Sequence, residues 1–215
     1  MKILSKKLKP QKVIAIITCL LIVTVGTVIW RVFKTPQHKL TDDKGVIIYS
    51  TDKPDEKKPD KNYRWQGSQN DPKKIKIPSI GVDAYIQKVG VDQNKQVAVP
   101  SNLFMVGWFA DTVRPGEKGL SLIDGHVTGR KNDGVFKELD KLKIGEQYSL
   151  ELGNGDVLKY EVIGKQSVNT KDSISIMFSQ DPNIPKQLNL VTCSGNFDQK
   201  TRTYDERLIV LSKQL

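Results

Sequence analysis

Eight short apolar segments, three to seven residues long and separated by turn-forming residues, occupy the C-terminal two-thirds of this 215-residue chain and restrict it to β architectures. They fall at residues 75–77, 84–86, 96–99, 120–123, 148–152, 157–163, 188–192 and 208–211, and they alternate or cluster β-branched residues. The pattern predicts an all-β barrel or sandwich. Asn154-Gly155 lies between two of the segments at a loop length suited to a type I′ hairpin. One stretch reads as helix, residues 135–142, where Phe136, Leu139 and Leu142 share a face and Asp133 can cap the start. A second short helix or turn is expected at residues 173–178.

The N-terminal part has a different character. Residues 1–12 carry Lys2, Lys6, Lys7, Lys9 and Lys12, and the uncharged apolar run of residues 13–30 that follows is long enough to cross a bilayer. A cleaved signal peptide would have a shorter apolar core and a small-residue cleavage site. Here the run ends in Ile29-Trp30-Arg31-Val32-Phe33, an aromatic and cationic interface pattern. The reading is an uncleaved transmembrane signal anchor at residues 13–30, with residues 1–12 cytoplasmic and everything past about residue 31 outside the cell. Cys19 then lies in the membrane as a small apolar residue. Residues 31–71 are polar and rich in Lys, Asp and Pro, which predicts a flexible extracellular stalk, interrupted by Val46-Ile47-Ile48-Tyr49. Residues 72–215 are one domain's worth of chain.

The net charge of +10 invites a nucleic-acid reading, but its distribution argues against one. Residues 1–71 hold 14 basic against 7 acidic side chains, whereas residues 72–215 hold 20 against 17. The excess belongs mostly to the anchor and stalk, and the folded part shows no basic face interleaved with stacking aromatics. The sequence also has no internal repeat, no Gly-rich phosphate loop and no His, Cys and carboxylate cluster with zinc spacing. No metal or cofactor is called for.

Chemistry is concentrated in three residues. Cys193 ends the strand Leu188-Asn189-Leu190-Val191-Thr192-Cys193 and has no disulfide partner outside the membrane, which in an exported protein marks it as an accident or a nucleophile. His126 is the one histidine in the folded region, on the loop after Leu122-Ile123-Asp124-Gly125, and Arg207 opens the last strand. Acyl transfer through a thiol needs a nucleophile, an acid for the leaving amine and a donor for the oxyanion. Cys193, His126 and Arg207 can supply one of each, since a guanidinium fork can bond a carbonyl oxygen and lower a neighbouring thiol's pKa. Taken singly, each also has a plain structural reading: a buried inert thiol, a polar loop residue and a surface charge. On the residues alone the chain is a possible thiol enzyme.

The strand ending Leu190-Val191-Thr192-Cys193, the later Arg207-Leu208-Ile209-Val210 and the upstream Gly125-His126 resemble the three signature sites of the sortases, membrane-anchored cysteine transpeptidases of Gram-positive bacteria. The likeness extends to Ile77-Pro78-Ser79-Ile80-Gly81-Val82 and to Gly134-Val135-Phe136-Lys137-Glu138-Leu139 with Ile144-Gly145-Glu146, and it covers nearly all of residues 72–215. Within the family, the run from Thr192 through Asp198 and Trp108-Phe109 before Pro115-Gly116 look most like class F, although that group usually has a second Gly where this chain has Ser194. Arg202, in the polar loop before the last strand, is a rival to Arg207 for the oxyanion role.

The resemblance implies a closed eight-stranded sortase-like β-barrel whose groove takes a Leu-Pro-x-Thr-Gly-like sorting signal from the C-terminus of an exported protein. It implies attack by Cys193 on the Thr carbonyl, release of the Gly segment, and resolution of the thioacyl-enzyme by an amine of the peptidoglycan precursor. Thr192 would line the groove, binding substrate, or support Cys193; Asp124 would orient His126 or serve the turn before Gly125. Tethering at the cell membrane suits this task because it raises effective concentration near both substrates. Two other readings stand beside it. An L,D-type cysteine transpeptidase would show Ser-His-Gly-Cys, and Thr192 precedes Cys193 instead; a tethered extracellular interaction domain would carry Cys193 as a non-catalytic thiol.

Overall fold

The computed structural model describes residues 53–91 and 97–215. The expected cytoplasmic segment, membrane anchor and Cys19, together with residues 31–52 of the expected stalk, lie outside the described residues. Among the described residues no helix is long and apolar enough to cross a membrane.

Eight strands close into a barrel: β1 (Pro72–Ile77), β2 (Val82–Val89), β3 (Val106–Phe109), β4 (Gly119–Gly125), β5 (Gln147–Leu152), β6 (Val157–Asn169), β7 (Lys186–Asp198) and β8 (Thr203–Gln214). Their order around the barrel is β1-β2-β3-β4-β7-β8-β6-β5, with β5 returning to β1. The β2/β3 and β4/β7 pairs are parallel and the others antiparallel. Closure leaves no unpaired sheet edge.

Strand alternation divides the apolar residues into two sets. Ile75, Ile77, Ile86, Val106, Ile123, Leu150, Leu190, Leu208 and Val210 fill the barrel interior, where Tyr148 stacks on Tyr160. Phe109, Leu122, Val191 and Ile209 face the other way and form a smaller cluster outside the wall, covered by Met177 of α1 (Ser173–Met177). Helix α1 is fixed to β7 by buried amides: Asn189 Nδ2 donates to Met177 O (2.9 Å), and Gln187 Nε2 donates to Ser179 O (3.0 Å). These bonds satisfy carbonyls that a helix end leaves without an internal partner.

Seven of the eight expected strand segments lie inside observed strands, and the exceptions have identifiable causes. Of the expected segment 96–99, the described residues 97–99 supply only an isolated bridge, Val91 with Val97. The missing strand is β3, Val106-Gly107-Trp108-Phe109, buried at every position and so showing no alternation to read. Between β5 and β6 the hairpin forms as expected, but its turn differs. Gly155 alone has positive φ there (92°) and its N–H donates to Leu152 O (3.0 Å), which makes an ordinary turn closed by a left-handed glycine in place of type I′.

The helix expected at residues 135–142 is also replaced, by turns ending in a 3-10 turn at Leu139–Lys141. Its apolar face is nevertheless real, since Phe136, Leu139 and Leu142 are buried in the barrel core. The amides that would start a helix are spent elsewhere: Val135 N–H donates to Leu103 O (3.0 Å) and Phe136 N–H to His126 O (2.9 Å). Gly134 makes this approach possible, because a Cβ there would lie 2.2 Å from the His126 carbonyl oxygen. Asp133 forms a bridge with Thr128 and caps no helix.

The described part of the expected stalk, residues 53–71, lies against the barrel. Asp55 bridges Asn102, Trp65 Nε1 donates to Ile86 O (2.9 Å), and buried Asp71 accepts from Arg114 Nε (3.0 Å). These contacts give a Lys- and Pro-rich segment an enthalpic reason to order that its composition does not reveal.

Phe136 joins the loop after β4 to the barrel interior at zero exposure. Phe136→Ala is expected to lower unfolding stability by about 3–5 kcal/mol, read as a fall in the urea midpoint at unchanged slope.

Candidate active site

The parallel β4/β7 pair sets the site. Its register places Asp124 opposite Val191, and continuing it by two residues brings His126 level with Cys193. A side-chain bond secures this end of the pair: Thr192 Oγ1 donates to Gly125 O at 2.7 Å, in a buried position. The residues joined are the immediate neighbours of Cys193 and His126. On the other side of β7, the antiparallel register makes Arg207 the direct partner of Cys193. Cys193 stands two residues beyond Val191 and Arg207 two before Ile209, so both side chains leave the sheet on the side of the outer apolar cluster. The register therefore places thiol, imidazole and guanidinium side by side at the same end of these three strands.

Each group has a defined environment. His126 Nε2 lies 2.7 Å from Pro100 O. A carbonyl oxygen only accepts, so Nε2 carries the hydrogen and Nδ1 is the nitrogen available for proton transfer. Burial lowers the pKa of His126 below the ordinary imidazole value, opposed by the bond to Pro100. Burial likewise pushes the Cys193 thiol up; Arg207 pulls it down and Asp124 adds to the rise. Both shifts favour the uncharged forms, thiol and neutral imidazole.

Arg207 is held by one edge. Its Nη1 donates to Thr170 Oγ1 (3.0 Å), Tyr204 O (3.2 Å) and Glu206 O (2.8 Å), leaving Nε and Nη2 without an acceptor among the described residues. The rival Arg202 sits at the β7/β8 turn with φ 56°, away from the strand register that faces Cys193.

Asp124 lies on the outer face of β4, two residues before His126, and makes no hydrogen bond to it. Its carboxyl is buried, its Oδ1 has no hydrogen-bond partner, and burial drives its pKa well above the usual carboxylate range. The orienting group for His126 is the Pro100 carbonyl, which sequence could not reveal because a backbone acceptor has no residue-type signature. Thr170 and Tyr204, which fix Arg207, were also missed; both sit in polar segments with no distinguishing pattern. Thr192, expected either to line the groove or to support Cys193, has its hydroxyl committed to Gly125. Among the described residues no three His, Cys, Asp or Glu side chains are grouped to hold a metal ion.

A sortase-domain family profile matches residues 75–215, well over half of the chain. The chain belongs to the sortase family. Its fold is similar to that of a Clostridium perfringens sortase D5 transpeptidase, at 27% identity and a TM-score of 0.50, covering 67% of this chain and 79% of that one. It is also similar to a lid mutant of sortase A from Corynebacterium diphtheriae, at 25% identity and a TM-score of 0.52, covering 66% and 68%. Likeness to sortase C2 of Group B Streptococcus pilus island 1, at 21% identity and a TM-score of 0.50 over 66% and 72%, concerns the fold alone. No curated protein matches by sequence comparison. The sortase family consists of cysteine transpeptidases, and this member carries the thiol, imidazole and guanidinium side by side at one end of three neighbouring strands.

Two outcomes follow from the site's construction. Alkylation of Cys193 by iodoacetamide, followed on its own peptide by mass spectrometry, is expected to stay slow through neutral pH and to rise only above the ordinary thiol pKa of about 8.5. A preformed thiolate would react fully by pH 6. Thr192→Val leaves the Gly125 carbonyl without its partner and is expected to cost about 1–3 kcal/mol in chemical denaturation.

Proposed function

We propose that this sortase is a membrane-anchored transpeptidase that cleaves a Leu-Pro-x-Thr-Gly-like signal between Thr and Gly and joins the acyl fragment to a cell-wall amine. The observation that carries the reading is the direct pairing of Cys193 with Arg207, with His126 brought level by the neighbouring parallel strand. The motif likeness to class F supports placing the chain near that group on sequence alone. Residues 13–30 would hold it in the membrane, with the barrel outside the cell.

The chemistry runs as two acyl transfers. The Cys193 proton passes to His126 Nδ1, and Sγ adds to the threonyl carbonyl carbon. Negative charge develops on the carbonyl oxygen, where the free Nε and Nη2 edge of Arg207 donates. Collapse expels the glycyl nitrogen, which takes the proton from His126, and leaves a thioester on Cys193. An amine from the peptidoglycan precursor then adds to the thioester carbon and gives up a proton to His126. Loss of Sγ completes the new amide and the proton returns to the thiolate. Water follows the same course when no amine is present. Substrate entry, by displacing water, strengthens the Arg207 contact with the oxyanion.

The test is the full-length protein incubated with a Leu-Pro-x-Thr-Gly peptide library and an amine acceptor, analysed by mass spectrometry. Cleavage between Thr and Gly with an acyl adduct on Cys193 is expected. Cys193→Ala should have no activity, while His126→Ala and Arg207→Ala should each lose about 10²–10⁴-fold in kcat. Substantial turnover by Cys193→Ala contradicts the mechanism, and an inert library with unreactive Cys193 favours a tethered interaction domain.

A further inference from the structure

His126 is held from two directions. Residues 100–103 supply the carbonyl that fixes its ring, through Pro100, and residues 127–136 fix its backbone, through Phe136 N–H on His126 O and Gly134 N–H on Val127 O. Neither segment belongs to a strand; one bond joins them, Val135 N–H to Leu103 O (3.0 Å), and the barrel ladder does not determine their separation. A third segment, from the chain before the barrel, is bonded to both.

On one side it extends residues 101–103 as a short parallel bridge. Asp55 N–H donates to Ser101 O (2.8 Å), Leu103 N–H donates to Asp55 O (2.9 Å), and Asn102 Nδ2 donates to Lys57 O (2.9 Å). On the other side Glu56 reaches the loop after His126. Its carboxylate accepts from Arg130 N–H (2.6 Å), Lys131 N–H (3.1 Å) and Asn132 Nδ2 (3.0 Å), with the Arg130 guanidinium 3.9 Å away. That side chain is 13% exposed, low for a glutamate on a segment whose composition predicts a free stalk. The three donors hold the Glu56 pKa below the ordinary carboxylate value, the Arg130 amide contributing most, so the clamp is charged and charge-assisted at neutral pH.

These residues precede the family-matched region, which begins at residue 75. We propose that residues 55–57 are a strap that sets the spacing of the two loops around His126, and that Glu56 is a positioning residue for that histidine. The inference rests on the reading of His126 as the proton carrier of acyl transfer. A strap at this point adjusts the imidazole without touching Cys193 or Arg207, which the β7/β8 ladder fixes independently. It also ties the geometry of proton transfer to the segment that joins barrel and membrane anchor.

The test uses the full-length protein, with Glu56→Ala, Glu56→Gln and Asn132→Ala, the last removing one donor while keeping the strap. Three quantities are read: kcat and KM for the sorting peptide, the Cys193 alkylation rate, and the His126 ring signals by NMR. The chain has two histidines, so His126→Ala assigns the spectrum. Glu56→Ala is expected to lower kcat by roughly 10-fold or more with KM within about two-fold and alkylation unchanged. The His126 signals should shift or split, Glu56→Gln and Asn132→Ala giving smaller changes in the same direction. Unmoved His126 signals in all three variants overturn the proposal, as does a kcat loss matched by equal losses in alkylation and melting temperature. If the protein turns over no sorting peptide, the transpeptidase reading fails while the His126 signals still decide whether the strap positions the ring.

Discussion

The parallel pairing of β4 with β7 is the constraint on which the rest of the site depends. Parallel neighbours have no hairpin to fix their register, so it must come from side-chain packing and local bonds. Here Ile123 and Leu190 lock the inner face, Leu122 and Val191 the outer one, and the buried Thr192–Gly125 bond secures the end from which His126 and Cys193 project. A slip of one residue would turn Cys193 into the barrel and His126 away from it. The antiparallel β7/β8 ladder then adds Arg207 without any further device.

Burial and charge oppose each other at this site, and burial is the larger influence on both titrating partners. Burial favours the uncharged forms of Cys193 and His126. Arg207 draws the thiol back toward ionisation, while Asp124 adds to its rise. In the proposed acyl transfer, the Nε and Nη2 edge of Arg207 acts when negative charge appears on a bound carbonyl oxygen, as differential stabilisation requires.

Much of this was legible in the chain because strands announce themselves by alternation and β-branching, as at Leu188 to Thr192 and Leu208 to Leu211. Cys193, His126 and Arg207 were legible because their chemistry is rare in such segments and their motifs are those of the sortases. Strand β3 was hidden by burial on both faces, and the 135–142 segment misread because its helical periodicity reflects burial of Phe136, Leu139 and Leu142 while its amides serve other partners. Pro100 and Glu56 act through backbone groups distant in sequence, about which residue types say nothing. The order of residues 53–71 has the same origin, since the contacts that hold it to the barrel are long-range.

The most direct measurement of the central claim is a crystal structure with a non-hydrolysable sorting-signal analogue captured on Cys193. The account requires the trapped carbonyl oxygen within hydrogen-bond reach of the Nε and Nη2 edge of Arg207, with His126 Nδ1 facing the position the glycyl nitrogen would leave. A captured carbonyl turned away from Arg207, or an imidazole presenting neither nitrogen to that position, would contradict it.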